Sequence, residues 1–548
     1  MIKPKAPPYD PMEWLKKSFS EKARLVCQAW AVQGYGSPEG VYLIYALKVG
    51  LYVAGWIYFC SFTPGLGAWD STSWWMQPIA FQKAIAWSML FEVLGFGCGS
   101  GPLTGRYFPP LGGFLYFLRP KTTKMPLIEG APIVGAKTRG FLDIISYAAL
   151  VVFLFISLIH PAPGFDQWLP IVVLLPLLGL LDKTVFLAAR GEHYWVTIVV
   201  FAFAPNWIAG AMVVQLALWF FAGFSKLNHH FVTVVCVMAS NSPFTPFGWF
   251  RKAMYKNYPD DLRPSTTALV KTYMGTALEL AIPITFVIGI LSGSANVMTA
   301  GLIMMVLLHT YITSNIPMGV PIEWNFMVVY AGFFLFGANP NVIPFDVGSM
   351  PVVLFLIVFC ILLPLLGNIK PEWISFLLAM RYYAGNWATS VWLFKGESYR
   401  KLDKLTKSSA WLYDQLDMFY ERKVSVGLVS KVMAFRLMHL HGRAFQTLVP
   451  KAVRKFEDYQ WVDGELIAGM IVGYNFGEGH LHDEQLLRSV QEQCGFEPEE
   501  LRCIFLESQP LGKSTQEYRI YDAKTGLIES GKVEINELLK LQPWPTKA

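Results

Sequence analysis

Long apolar runs separated by short polar stretches fill the chain as far as about residue 368, and a finer mixture of apolar and charged positions follows. A membrane-crossing helix needs about 20 mostly apolar residues. By that measure ten segments are predicted to span: Val41–Cys60, Ile79–Cys98, Phe141–His160, Leu169–Ala188, Tyr194–Ala204, Trp207–Phe224, Met274–Ser292, Val297–Ser314, Trp324–Gly337 and Pro351–Leu366. The fifth and ninth are short enough to be re-entrant. Upstream, residues 1–40 carry "DPMEWLKKSFSEKARLVCQAW", an amphipathic pattern predicted to lie on the membrane surface, and they hold no signal-peptide core.

Residues 369–460 read as an interfacial and basic helical linker, with "ISFLLAMRYYAGNWATSVWLF" as an interfacial helix. In residues 461–548, "GELIAGMIVGYNF" predicts a strand, "DEQLLRSVQEQCGF" a helix, "LRCIFLESQ" a strand and "EYRIYDAKTGLIESGKVEI" a hairpin. The predicted fold is an all-α polytopic membrane bundle of about 10 transmembrane helices with a small C-terminal cytoplasmic α+β domain. "GSGPLTG" lacks the Gly-Lys-Ser/Thr ending of a phosphate loop and reads as a break before a re-entrant hairpin through Pro109 and Pro110.

Composition agrees: 54% of the 548 residues are hydrophobic and only 15% charged, which places the chain among membrane proteins. The net charge of +6 does not indicate nucleic acid, because the basic residues sit in alternate loops. Arg119, Lys121, Lys124, Lys137 and Arg139 share one loop and Arg251, Lys252, Lys256, Arg263 and Lys271 another, whereas the intervening loops hold none. The positive-inside rule then puts both termini in the cytoplasm of an inner or plasma membrane. The seven cysteines show no CxxC spacing and suggest no disulfide framework.

On that topology Lys48, Glu92, Asp182, Lys183, His193, Lys226, Glu279, His309 and Glu323 all fall in the cytoplasmic half, with little beyond His160 in the other. Glu279 and His309 lie about 7 Å into their spans at 1.5 Å per residue. Charges in lipid cost roughly 2.5–3.5 kcal/mol each even on the lenient scale, so they face wet or paired interiors. A polar cavity open to the cytoplasm is predicted, with snorkelling to headgroups as the alternative. In it Lys226 is a candidate general base, with Glu279 tuning it.

"WFFAGFSKLNHHF" resembles the segment of the HTTM family of vitamin K-dependent γ-glutamyl carboxylase-like membrane domains in which an Ala-Gly-x-x-Lys-Leu run ends a helix. "LLDKTVFLAARGEHYW", "MGTALELAIPITF" and "LLHTYITSNIPMGVPIEWNF" are similar to further blocks of that family, in the same order, over residues 140–340. The resemblance implies Lys226 as the base that deprotonates a quinol, with His193 and His309 orienting the substrate or stabilising negative charge. Glu192 stands where the family has asparagine. A cytoplasm-facing cavity counts against γ-carboxylation and leaves quinol-linked or oxygen-dependent chemistry on a lipophilic small molecule. Over its full length the chain is similar to a family of bacterial multi-pass membrane proteins with a domain of unknown function, through "PPYDPMEWL", "GSGPLTGRYFPP", "MRYYAGNWATS" and "VGYNFGEGHLHDEQLL".

Two His-x-His pairs, His439/His441 and His480/His482, hold four of the nine histidines. On an extended segment His480 and His482 project to one face and could hold a metal with Glu478 or Asp483. Their alternative is a hydrogen-bonded loop in which Asp483 caps a helix. The first pair reads as helical, where i, i+2 side chains diverge. Three functions fit: a membrane enzyme acting on a lipophilic substrate or quinol, a non-enzymatic lipid-binding or transport protein, and a membrane-anchored metal-binding domain.

Overall fold

The computed structural model describes residues 4–67, 73–98, 104–107, 113–245, 247–315 and 321–546. The chain is mostly helical. Among the described residues six helices are long and apolar enough to cross a membrane: Gly40–Cys60, Phe141–Ile159, Trp207–Phe224, Thr266–Ser292, Ala295–Thr313 and Met350–Ile369. The other expected spans are shorter or broken helices, and the reasons are local. Asp182 leaves the helix Phe165–Leu181 in an extended conformation, accepts from Thr184 N at 3.1 Å to cap Lys183–Ala188, and is paired by Arg139 at 2.6 Å. Arg190 then adopts a left-handed conformation (φ 54°). A wide helical turn, Gly191–Trp195, follows before only eight residues of helix, Val196–Phe203. Pro78–Val93 and Ile322–Ala338 are short too. Pro78–Val93 is buried along nearly its whole length, so its neighbours are protein rather than lipid. Lys83 on it is fully buried and donates to Phe59 O at 2.8 Å, an ionisable group the sequence reading passed over. The break expected at "GSGPLTG" and the hairpin through Pro109 and Pro110 lie largely outside the described residues.

A small antiparallel hairpin, β1 (Tyr255–Asn257) with β2 (Asp261–Pro264), interrupts the helices. The main sheet has five strands, β3 (Thr389–Lys395), β4 (Tyr459–Asp463), β5 (Leu501–Leu506), β6 (Thr515–Asp522) and β7 (Gly526–Glu534), in the order β4-β3-β5-β6-β7. All four pairings are antiparallel. The expected helix Glu484–Cys494, strand β5 and β6–β7 hairpin are present.

Two expectations fail. "ISFLLAMRYYAGNWATSVWLF" is not a helix: Met380, Tyr383 and Gly385 take positive φ, and "TSVWLFK" becomes β3 beside two neighbours. Its Val391, Trp392, Leu393 and Phe394 are all fully buried, as in a central strand covered on both faces. "GELIAGMI" is a helix, started by Asp463, which accepts from Glu465 N at 3.0 Å. Both errors share a cause: a short run buried all round carries no period of its own.

The N-terminal helix Phe19–Gln33 is amphipathic as expected, but protein covers its apolar face. It packs on Arg422–Met438 and Phe231–Asn241. Trp30, fully buried, donates its indole N–H to Val237 O at 3.2 Å.

Candidate functional site

Lys226 lies one residue beyond the Ser225 that ends Trp207–Phe224, and Glu279 lies midway along Thr266–Ser292. Glycine brings them together. A Cβ at Gly223 would come within 2.9 Å of the Leu280 side chain, so these helices touch through bare backbone one turn from the lysine. Lys226 Nζ donates to Glu279 Oε1 at 2.6 Å and also to Oε2. Both side chains are nearly inaccessible to solvent. Pro283, four residues after Glu279, has no N–H to offer the Glu279 carbonyl, which loosens the helix at that turn.

The pair borders a cavity with about 90 Å³ of room for the centres of water-sized groups. Its walls are aromatic and aliphatic in about equal measure, with Trp219, Phe231, Trp324, Tyr382, Tyr383 and Phe476 among the rings and His309, Asn315 and Asn325 as further polar members. His309 is tightly constrained. Trp219 Nε1 donates to its Nε2 at 3.0 Å, and its Nδ1 lies 2.8 Å from Asn325 Oδ1. An indole N–H can only donate, so Nε2 is the acceptor and Nδ1 carries the proton. Asn325 in turn donates to Pro321 O at 2.9 Å. Both imidazole nitrogens are thus committed, and the ring stiffens the wall instead of reaching for a ligand.

The structure therefore gathers Lys226, Glu279 and His309 around one space and sets His193 behind it. His193 Nδ1 accepts from Trp324 Nε1 at 3.2 Å, so it fixes a ring of the wall. Beside it is a group that went unrecognised in the sequence. Arg190 lies over the rings of Trp324, Tyr382 and Phe476 at 4.8, 5.2 and 5.1 Å. Glu192 Oε1 accepts from Arg190 Nε at 2.8 Å and from Tyr382 O–H at 2.9 Å. Glu192 was legible only as a departure from a family pattern, and Tyr382 lies in the segment misread as an interfacial helix.

His480 and His482 have separate partners. His480 sits between carboxylates, with Glu507 Oε2 3.1 Å from Nε2 and Glu478 Oε1 3.2 Å from Nδ1. Burial alone would favour the neutral ring, but Glu507 and Glu478 outweigh it and raise the imidazole well above its ordinary value. Burial raises Glu507 in its turn, yet His480 prevails and holds it down at about 2. His482 Nδ1 is 2.7 Å from Ser390 Oγ, and burial pushes this ring down to about 3. Asp483 accepts from Gln485 N at 2.9 Å and caps Glu484–Cys494. His439 caps the end of Arg422–Met438 and His441 opens a separate short helical turn, His441–Ala444, so the two do not share one helix, and their rings stack 5.5 Å apart.

These features define a membrane protein with several apolar helices and a cavity set over a buried ion pair. The chain belongs to the family described as transmembrane protein of unknown function (DUF3556), whose family model matches residues 1–548. No curated protein and no solved structure matches it.

Proposed function

We propose that this membrane protein binds a lipophilic small molecule, of the quinone or isoprenoid kind, in this cavity, with its polar end at Lys226 and Glu279. One observation carries the reading: a buried ion pair borders a cavity whose other walls are mostly aromatic and apolar. A buried pair is a poor stabilising device, because two leucines would seal a helix seam as well or better. Retained beside a cavity, it can hydrogen-bond a ligand oxygen from either charge state, and the pair's neutrality spares the surrounding apolar walls a net charge.

The HTTM resemblance, which the family comparison does not support, adds a finer reading in which Lys226 deprotonates a quinol. In this reading the lysine starts as an ammonium donating to Glu279. To serve, it passes a proton to Glu279, leaving an amine and a carboxylic acid, and the amine then takes the quinol proton. His309 and His193 are positioning residues here, acting through Trp219, Asn325 and Trp324. The loop charges support a cavity that opens toward a cytoplasmic face shared by both termini.

The test is titration of the full-length protein in lipid nanodiscs with a short-chain naphthoquinone, read by quenching of Trp219 and Trp324 and by mass spectrometry of co-purified lipid. Saturable quenching is expected, weakened by about tenfold or more in the charge-neutral double variant Lys226→Met/Glu279→Gln, the loss of a hydrogen bond to a charged group. Quenching that is not saturable, with no lipophilic compound co-purifying, overturns the proposal. Tight binding that survives the double variant with its affinity unchanged removes the ion pair from it and leaves a simple lipid carrier.

A further inference from the structure

A second buried cluster lies apart from the ion pair. Glu92 is near the end of Pro78–Val93, Cys98 is six residues on, and Glu323 opens Ile322–Gly332. One carboxylate oxygen of each glutamate and the Cys98 sulfur lie within 4.8 Å of one another. All three residues are at most 4% exposed. Cys98 N donates to Glu92 Oε2 at 2.7 Å, and the Cys98 thiol donates to the other oxygen, Oε1, at 3.0 Å. A side chain at Gly97 would collide with the Glu92 carboxylate, so the backbone here is shaped to admit it.

Glu323 is the telling member. Its Oε1 is buried with no hydrogen-bond partner among the described residues, while Oε2 is paired with Lys48 Nζ at 2.9 Å. An orphaned carboxylate oxygen this deep carries its full desolvation penalty unless something absent from a protein-only structure meets it.

The charges point the same way. Lys48 and Arg190 are the cations in contact, Arg190 Nη1 being 3.1 Å from the Cys98 sulfur and bound to Glu192. Against these two stand the carboxylates of Glu92, Glu192 and Glu323, one negative charge more, and a metal ion that displaced the Cys98 thiol proton would meet a second.

We infer that Glu92, Cys98 and Glu323 form a binding site for a divalent transition-metal ion of the zinc class. A thiolate with two carboxylate oxygens is a donor set for a borderline-soft ion, whereas calcium and magnesium prefer oxygen alone. Three protein ligands leave a fourth position open, as in zinc sites that bind water or substrate. The Cys98 side of the cluster borders a second, small cavity, which shares Tyr383 and Phe476 with the cavity over Lys226. The inference is independent of any ligand in that first cavity.

The experiment uses full-length protein purified in detergent without chelators. Elemental analysis is expected to find about one zinc-class ion per chain. After stripping, added Co²⁺ is expected to give a thiolate-to-cobalt charge-transfer band, absent in Cys98→Ser. In Glu323→Gln, nearly isosteric and so suited to folding, Co²⁺ affinity is expected to fall by about tenfold or more. The inference is overturned if stripped wild-type protein that is still monodisperse and helical takes up no Co²⁺ with that band. It is equally overturned if the band persists in Cys98→Ser, or if the affinity of Glu323→Gln equals that of wild type.

Discussion

His480 is held between Glu507 and Glu478, and the sign of each shift fixes how this contact responds to pH. Burial opposes the imidazolium, but the two carboxylates raise the ring well above 6.5. Its stabilisation is therefore complete below the unfolded value near 6.5 and is lost as pH rises through the folded value. Glu507, held at about 2, contributes stability that is present above its ordinary 4.5 and is lost as pH falls toward about 2. Both contributions are whole only between those limits. Glu507→Gln is expected to lower the melting temperature most at about pH 5–6 and less at both alkaline and strongly acid pH, as followed by thermal melts of the two proteins in one detergent. At this scale Lys226, Glu279 and His309 were legible because an ionisable group in an apolar run stands out by its cost. Arg190 lay just outside such a run, and the aromatic rings around it come from Trp324, Tyr382 and Phe476, which no local pattern connects.

Among the elements, Phe19–Gln33 shows how a correct pattern can be given the wrong partner. Its alternation of apolar and polar positions specifies a half-buried helix but not what buries it, and a headgroup layer and a protein groove demand the same stripe. The groove here lies between Arg422–Met438 and Phe231–Asn241, with Trp30 in contact with Phe435 at 6.0 Å between ring centroids. Trp30→Ala is therefore expected to destabilise the folded protein by about 3–5 kcal/mol, the range for removing a buried large aromatic side chain. The check is the melting curve in detergent: a helix that merely rested on lipid would leave it unmoved. Strand β3 makes the complementary point. Its residues are apolar and aromatic without alternation because a central strand is covered on both faces, and such a run is read as helix as easily as strand.

For the molecule as a whole, the decisive feature is that residues beyond 370 continue the interior of the membrane helices. One hydrophobic cluster runs from Tyr147 and Leu178 through Phe376 and Trp392 to Val490 and Ile520. Buried polar contacts cross the same boundary: Tyr116 O–H donates to Ile471 O at 2.7 Å, His230 Nε2 lies 2.9 Å from Gln509 Oε1, and Tyr382 donates to Glu192. The change of texture near residue 370 was visible in the sequence, but composition reports only where lipid-length runs stop, not whether the next segment folds back on them. Contacts of this kind are not screened by salt as exposed ion pairs are. A protease site inserted beside Lys370, where the chain is exposed, is expected to be cleaved without releasing the C-terminal part. The C-terminal fragment should remain with the membrane fraction through a high-salt wash and leave only when detergent disperses both pieces, as seen by gel electrophoresis of pellet and supernatant. Release by salt alone would mean that the sheet and its helices fold by themselves and rest on the membrane part through their charged surface, and Tyr382 and Phe476 would then no longer be fixed walls of the cavity over Lys226.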